Sequence, residues 1–190
     1  MNRELIFGLL SVLVNIAGFI PYIRDILAQK VKPQRITWTI WTILTGIAFY
    51  NQVQNGGGYS VYFFGSTFFL VVTVLLLSIK YGFKETTRFD IGCLLLALGL
   101  LGVFLVTKNT TYTTYLAAGI DMLGALPTVY KTYRHPETEA YAQWVMAAIA
   151  GFFSMLALTT FSFLLIAYPL YVFLMNTVIV ATKYFAERKR

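Results

Sequence analysis

Apolar residues run along this chain in long unbroken blocks, not in the alternating pattern of a half-buried strand. Residues 5–23 carry no charge and predict a first helix that continues to about Leu27. A helix rises about 1.5 Å per residue and a bilayer core is about 30 Å thick, so about 20 such residues cross it. Residues 36–79 are again charge-free and too long for one span, and Asn55-Gly56-Gly57-Gly58 divides them into two helices. Residues 91–107 predict a fourth, shorter helix. A fifth runs from Tyr112 to about Tyr133 and carries Asp121 inside it. Residues 140–182 are charge-free and long enough for two more helices, with a break expected near Thr159–Ser162. The pattern predicts an all-α membrane protein of seven transmembrane helices, with the lipid bilayer as its first partner.

Charge then sets the expected orientation. If the gaps between helices are assigned alternately to the two sides, 13 of the 15 Lys and Arg residues fall on one side. Only Arg3 and Lys108 fall on the other. Basic residues are retained on the cytoplasmic side, so the N-terminus is expected outside and the C-terminus inside. Short loops and tails point to a prokaryotic plasma membrane. The first apolar block lacks a basic leader region and reads as a mature helix.

Composition agrees with the block pattern. The chain is 58% hydrophobic and 12% charged, against about 25% charged for a soluble domain. The net charge of +7 does not imply nucleic acid, because the basic residues sit in short clusters between apolar blocks. The single cysteine, Cys93, allows no internal disulfide and no cysteine-based metal site. No Gly-rich phosphate loop, metal-ligand cluster or nucleophile–base pair is apparent, so neither an enzyme nor a cofactor is expected. The segment from His135 to Glu139 mixes both signs and is expected to be a solvated turn.

A shift of 106 positions superimposes the two ends of the chain. Asn15 meets Asp121, Gly18 meets Gly124, Pro21 meets Pro127, Trp38 meets Trp144 and Tyr62 meets Tyr168. Both halves read Asn or Asp, two residues, Gly, two residues, Pro, sixteen residues, Trp. Helices 1–3 (residues 1–82) therefore match helices 5–7 (residues 111–190), and residues 83–110 supply a linker helix. The extra span leaves both halves pointing the same way, a parallel repeat about an axis along the membrane normal.

This 3+1+3 arrangement resembles the SWEET and PQ-loop superfamily of seven-helix transporters. The likeness covers nearly the whole chain and rests on layout and on the paired prolines. The family's Pro-Gln pair reads here Pro21-Tyr22 and Pro127-Thr128, and Pro33-Gln34 falls in the loop after helix 1. The resemblance implies alternating access by the two halves to a small polar metabolite, a sugar or similar. It also implies that Pro21 and Pro127 serve as hinges. In that family asparagines occupy helices 3 and 7; here Asn176 is present, but its counterpart is Leu70.

Candidate site residues follow from position. Asp121 is an ionisable group within a span, which is costly and points to function. Asn15, Gly18 and Tyr22 share one helix face by their i, i+3, i+7 spacing, as do Asp121, Gly124 and Thr128. The two faces are expected to meet, either around a solute or as a polar pair joining helices. Proton coupling through Asp121 is an open alternative to simple facilitation. Trp38, Trp41, Thr42 and Thr45 are expected along one face of helix 2, and their counterparts on helix 6 are Trp144 and the small residues Ala147, Ala148 and Gly151. Such groups suit a planar or sugar-like ligand, although Trp38 and Trp144 also fit an interfacial aromatic belt. A ligand-binding receptor or scaffold on the same fold is the alternative to a transporter, and a homo-oligomer is compatible with either.

Overall fold

The computed structural model describes residues 3–54, 60–107, 109–158 and 163–189. The expected breaks at Asn55–Gly58 and Thr159–Ser162, together with Lys108 and Arg190, lie outside them. Among the described residues the chain is helical throughout. Seven α-helices follow one another: α1 (Arg3–Leu27), α2 (Arg35–Gln54), α3 (Ser60–Tyr81), α4 (Arg88–Val106), α5 (Thr110–Arg134), α6 (Tyr141–Leu156) and α7 (Phe163–Arg188). A short 3₁₀ turn, Pro136–Thr138, precedes α6.

Three segments are long and apolar enough to cross a membrane: Arg3–Leu27, Arg88–Val106 and Leu165–Arg188. Residues 65–81 of α3 and all of α6 are apolar but shorter. α2 and α5 have the length and carry more polar residues, among them Thr39, Thr42 and Thr45 on α2 and Asp121 and Thr128 on α5. The outer surface is apolar in a way that water-soluble monomers rarely are. Ile20, Leu95, Val106 and Phe163 are 67%, 63%, 77% and 75% exposed.

Local chemistry fixes the helix ends. Thr87 and Asp90 cap α4 reciprocally: the Asp90 N–H donates to Thr87 Oγ1 at 3.2 Å, and the Thr87 N–H donates to Asp90 Oδ2 at 2.7 Å. This capping box satisfies two amides that the helix cannot. Arg35, at the start of α2, donates to the Ser78 and Ile79 carbonyls at 3.0 and 3.2 Å. Both carbonyls lie in the last turn of α3, where a cation complements the helix dipole; Ser78 also accepts from the Gly82 N–H at 2.8 Å. α1 ends through Gln29, whose φ of 58° lets the Lys30 N–H reach the Asp25 carbonyl at 2.9 Å.

The helices pack in a defined pattern. α1 lies against α6 and α3; α2 lies against α3 and α5; α7 lies against α5 and α6; α4 lies mainly against α5. The main core gathers Phe19, Tyr22, Ile26, Trp38, Trp144 and Ile179 from four helices. Two glycines allow close crossings of α1 with α6 and of α5 with α2. A Cβ on Gly18 would lie 3.1 Å from Met146 Cβ, and one on Gly124 would lie 3.1 Å from Ile40 Cγ2. Ile40 and Met146 are themselves related by the shift of 106 residues.

The turn between α5 and α6 differs from expectation. Glu137 is exposed as expected, but Thr138 and Glu139 are only 6% and 4% exposed, so the turn is not solvated throughout. The Glu139 charge is buried because Lys131, one helical turn before the end of α5, reaches back to pair with it.

Candidate functional site

Helices α1, α2, α5, α6 and α7 enclose a cavity of about 160 Å³, with α3 contributing Thr67 and Val71. It holds six of the seven residues expected to bind solute: Asn15, Trp38, Trp41, Asp121, Trp144 and Asn176. Thr42 is not on its wall: it falls outside the face of α2 that carries Trp38, Trp41, Leu44 and Thr45, and its hydroxyl donates to the Trp38 carbonyl at 2.7 Å. Thr45, one turn further along α2, takes that place on the wall.

Asn15 and Asp121 share the cavity, but the contacts of Asp121 go elsewhere. Its Oδ2 accepts from the Tyr168 hydroxyl at 2.7 Å, and its backbone carbonyl accepts from Trp41 Nε1 at 3.4 Å. Tyr171 stands beside the same carboxyl. The three indoles form one cluster: ring centroids are 5.2 Å apart for Trp38–Trp41, 6.0 Å for Trp41–Trp144 and 6.5 Å for Trp38–Trp144. Trp38 and Trp144 are 1% and 2% exposed, so both lie inside the bundle and not in an interfacial belt.

Several polar atoms on this wall are buried without a protein hydrogen bond: Trp38 Nε1, Thr67 Oγ1, Gln143 Oε1 and the Tyr171 hydroxyl. Trp38 and Tyr171 lie near the oxygens of Tyr22 and Asp121 without completing a bond. A buried donor or acceptor left unpaired costs about 1–3 kcal/mol, so four on one wall mark a surface built to face something polar. Tyr168, Tyr171, Gln143 and Thr67 were not singled out from sequence. A signal was present for α7: Tyr168, Tyr171, Val172, Met175, Asn176 and Ile179 line the cavity at i, i+3, i+4, i+7, i+8 and i+11, one helix face.

A second cavity of about 360 Å³ shares seven wall residues with the first, including Asn15, Thr45, Thr67 and Tyr168. It extends along Ser11, Ala48, Gly151 and Ser154, toward the end of the bundle where α1 begins. The opposite end is plugged. Tyr22, Ile26, Thr37 and Thr128 have no exposed surface there, and Thr128 donates to Thr37 at 2.9 Å, joining α5 to α2.

Beneath this plug lies a buried ion pair. Lys131 Nζ is 2.6 Å from Glu139 Oε1, with the two side chains 1% and 0% exposed. The ammonium also donates to the Lys32 carbonyl at 2.7 Å, while Glu139 Oε2 accepts from Trp144 Nε1 at 3.0 Å. Tyr22 donates to the same carboxylate at 3.4 Å. The pair thus ties α1, the α1–α2 loop, α5 and α6 together at one point. Pro21 and Pro127 sit within α1 and α5 immediately before Tyr22 and Thr128, and each lacks the N–H that would bond one turn back. Pro169 lies similarly inside α7 and lines the second cavity.

No three His, Cys, Asp or Glu side chains among the described residues come together in a way that would hold a metal ion. No protein-family model matches the sequence, and no curated protein matches it.

Proposed function

We propose that this chain is a multi-pass membrane transporter of a small polar solute, built as two triple-helix repeats joined by α4 and similar to the SWEET and PQ-loop superfamily. The carrying observation is the cavity. A carboxyl, three indoles and four unpaired polar atoms surround a space inside a bundle whose outside is apolar. Burying those groups in a protein that only needed to stand in lipid is costly.

The packing supports two equivalent halves. Exchanging α1 with α5, α2 with α6 and α3 with α7 turns each principal contact into another: α1–α6 into α5–α2, α2–α3 into α6–α7, α1–α3 into α5–α7. The glycine crossings exchange in the same way, Gly18 on Met146 with Gly124 on Ile40. α4 stands outside this exchange. In a plasma membrane of prokaryotic type, the basic residues of the plugged end face the cytoplasm and the N-terminus lies outside. The wider cavity then faces outward, and the Trp38–Trp144–Tyr22 plug with the Lys131–Glu139 pair closes the inner end. Transport is the exchange of this arrangement for one closed outside and open inside, with the backbone freed at Pro21 and Pro127.

Counterflow tests the reading against its rival. Purified protein in liposomes preloaded with a solute that raises its melting temperature is expected to accumulate labelled solute transiently. A solute that stabilises the protein yet shows no counterflow makes it a receptor on this fold.

A further inference from the structure

We infer that the cavity takes a compact organic cation, an ammonium-bearing metabolite, and not a neutral sugar; the inference rests on the proposed solute site in this cavity. Asp121 is the one residue with a formal charge on the walls of either cavity among the described residues. The nearest buried cation along α5, Lys131, is committed to Glu139 and the Lys32 carbonyl at 2.6 and 2.7 Å. Nothing on the wall therefore balances an Asp121 carboxylate, and a solute carrying positive charge supplies that balance.

The aromatic geometry points the same way. A planar ring or a sugar face is held best between parallel aromatic plates. Here the indoles are inclined at 86°, 58° and 38° to one another, and Tyr168 and Tyr171 at 41°. Mutually tilted rings form corners, which present their negative faces to a rounded cation and are the way proteins hold quaternary ammonium groups. About 160 Å³ lies below the range for drug-sized ligands, so the cation is small.

The molecule carries its own probe, because its three tryptophans all line this cavity. Tryptophan fluorescence of the purified full chain is titrated with methylammonium, tetramethylammonium and choline. Controls are glucose and 3,3-dimethylbutan-1-ol, the neutral carbon isostere of choline. At least one ammonium compound is expected to give a saturable change, and choline to bind at least about tenfold more tightly than its isostere. Asp121→Glu keeps that preference and Asp121→Asn loses it; should Asp121→Asn not fold, the isostere comparison on the parent protein decides alone. Equal binding of the isostere, a saturable response to glucose only, or no response to any ammonium compound overturns the inference. Ammonium binding without choline counterflow in liposomes overturns transport instead and leaves the cation site standing.

Discussion

Gly151 is the tightest point where α6 meets α7: a Cβ there would lie 2.8 Å from the Phe173 backbone nitrogen. Backbone cannot rotate away as a side chain can, so the two helices would have to separate. Gly102, on α4, has nothing within 4 Å of the same position. The two glycines make a matched test of packing against propensity. Gly151→Ala is expected to destabilise by about 1–3 kcal/mol through overpacking. Gly102→Ala is expected to be neutral or to stabilise by up to about 1 kcal/mol, the helix preference of Ala over Gly. Thermal unfolding of the two variants in detergent compares them directly; an equal fall for both removes packing as the cause. At this scale the sequence was informative where a residue broke the local rule. Asp121, Asn15 and the tryptophans stood out in apolar blocks, and the structure brings them to one wall. Thr42 does not follow, because it lies off the helix face that Trp38, Trp41, Leu44 and Thr45 present to the cavity.

Helix existence was legible and helix role less so. Five charge-poor blocks, two of them long enough for a pair of helices, correspond to seven α-helices, with ends displaced by a few residues where caps such as Thr87–Asp90 set them. α2 and α5 carry polar walls, so their hydropathy falls below that of α1, α4 and α7. The α5–α6 connection was misread because its sequence, His135 to Glu139, has the composition of a wet loop. Only the folded chain shows that the Lys131 ammonium, held by the Lys32 carbonyl, draws Glu139 inward. A buried pair costs little as a pair and much when halved, about 3–5 kcal/mol for removal of one partner. Lys131→Met is therefore expected to lower the melting temperature by several degrees, and Lys131→Met with Glu139→Gln to recover much of that loss. Additive losses in the double variant, read from a double-mutant cycle, mean that the two side chains are not coupled.

In the molecule as a whole, the proposed repeat is not carried through to the charged groups. Its helix contacts exchange under the 106-residue shift, yet Lys131 and Glu139 correspond to Asp25 and Pro33, so the ion pair exists in one half only. The proposed repeat rests on the spaced Asn or Asp, Gly, Pro and Trp positions. The ion pair is not legible there, since its two residues have no matching counterparts under the shift. In the proposed transporter this pair holds the inner end shut until the halves rock, and Ala147, on the wall of both cavities, reports which side is open. The decisive measurement uses Ala147→Cys on a Cys93→Ser background, labelled by a membrane-impermeant thiol reagent in right-side-out and inside-out vesicles. With the ion pair intact, labelling is expected from outside and not from inside. With Lys131→Met and Glu139→Gln added, or with a transported solute present, labelling from inside is expected to appear. A cysteine reached from neither side, or from one side only under every condition, contradicts alternating access through this cavity.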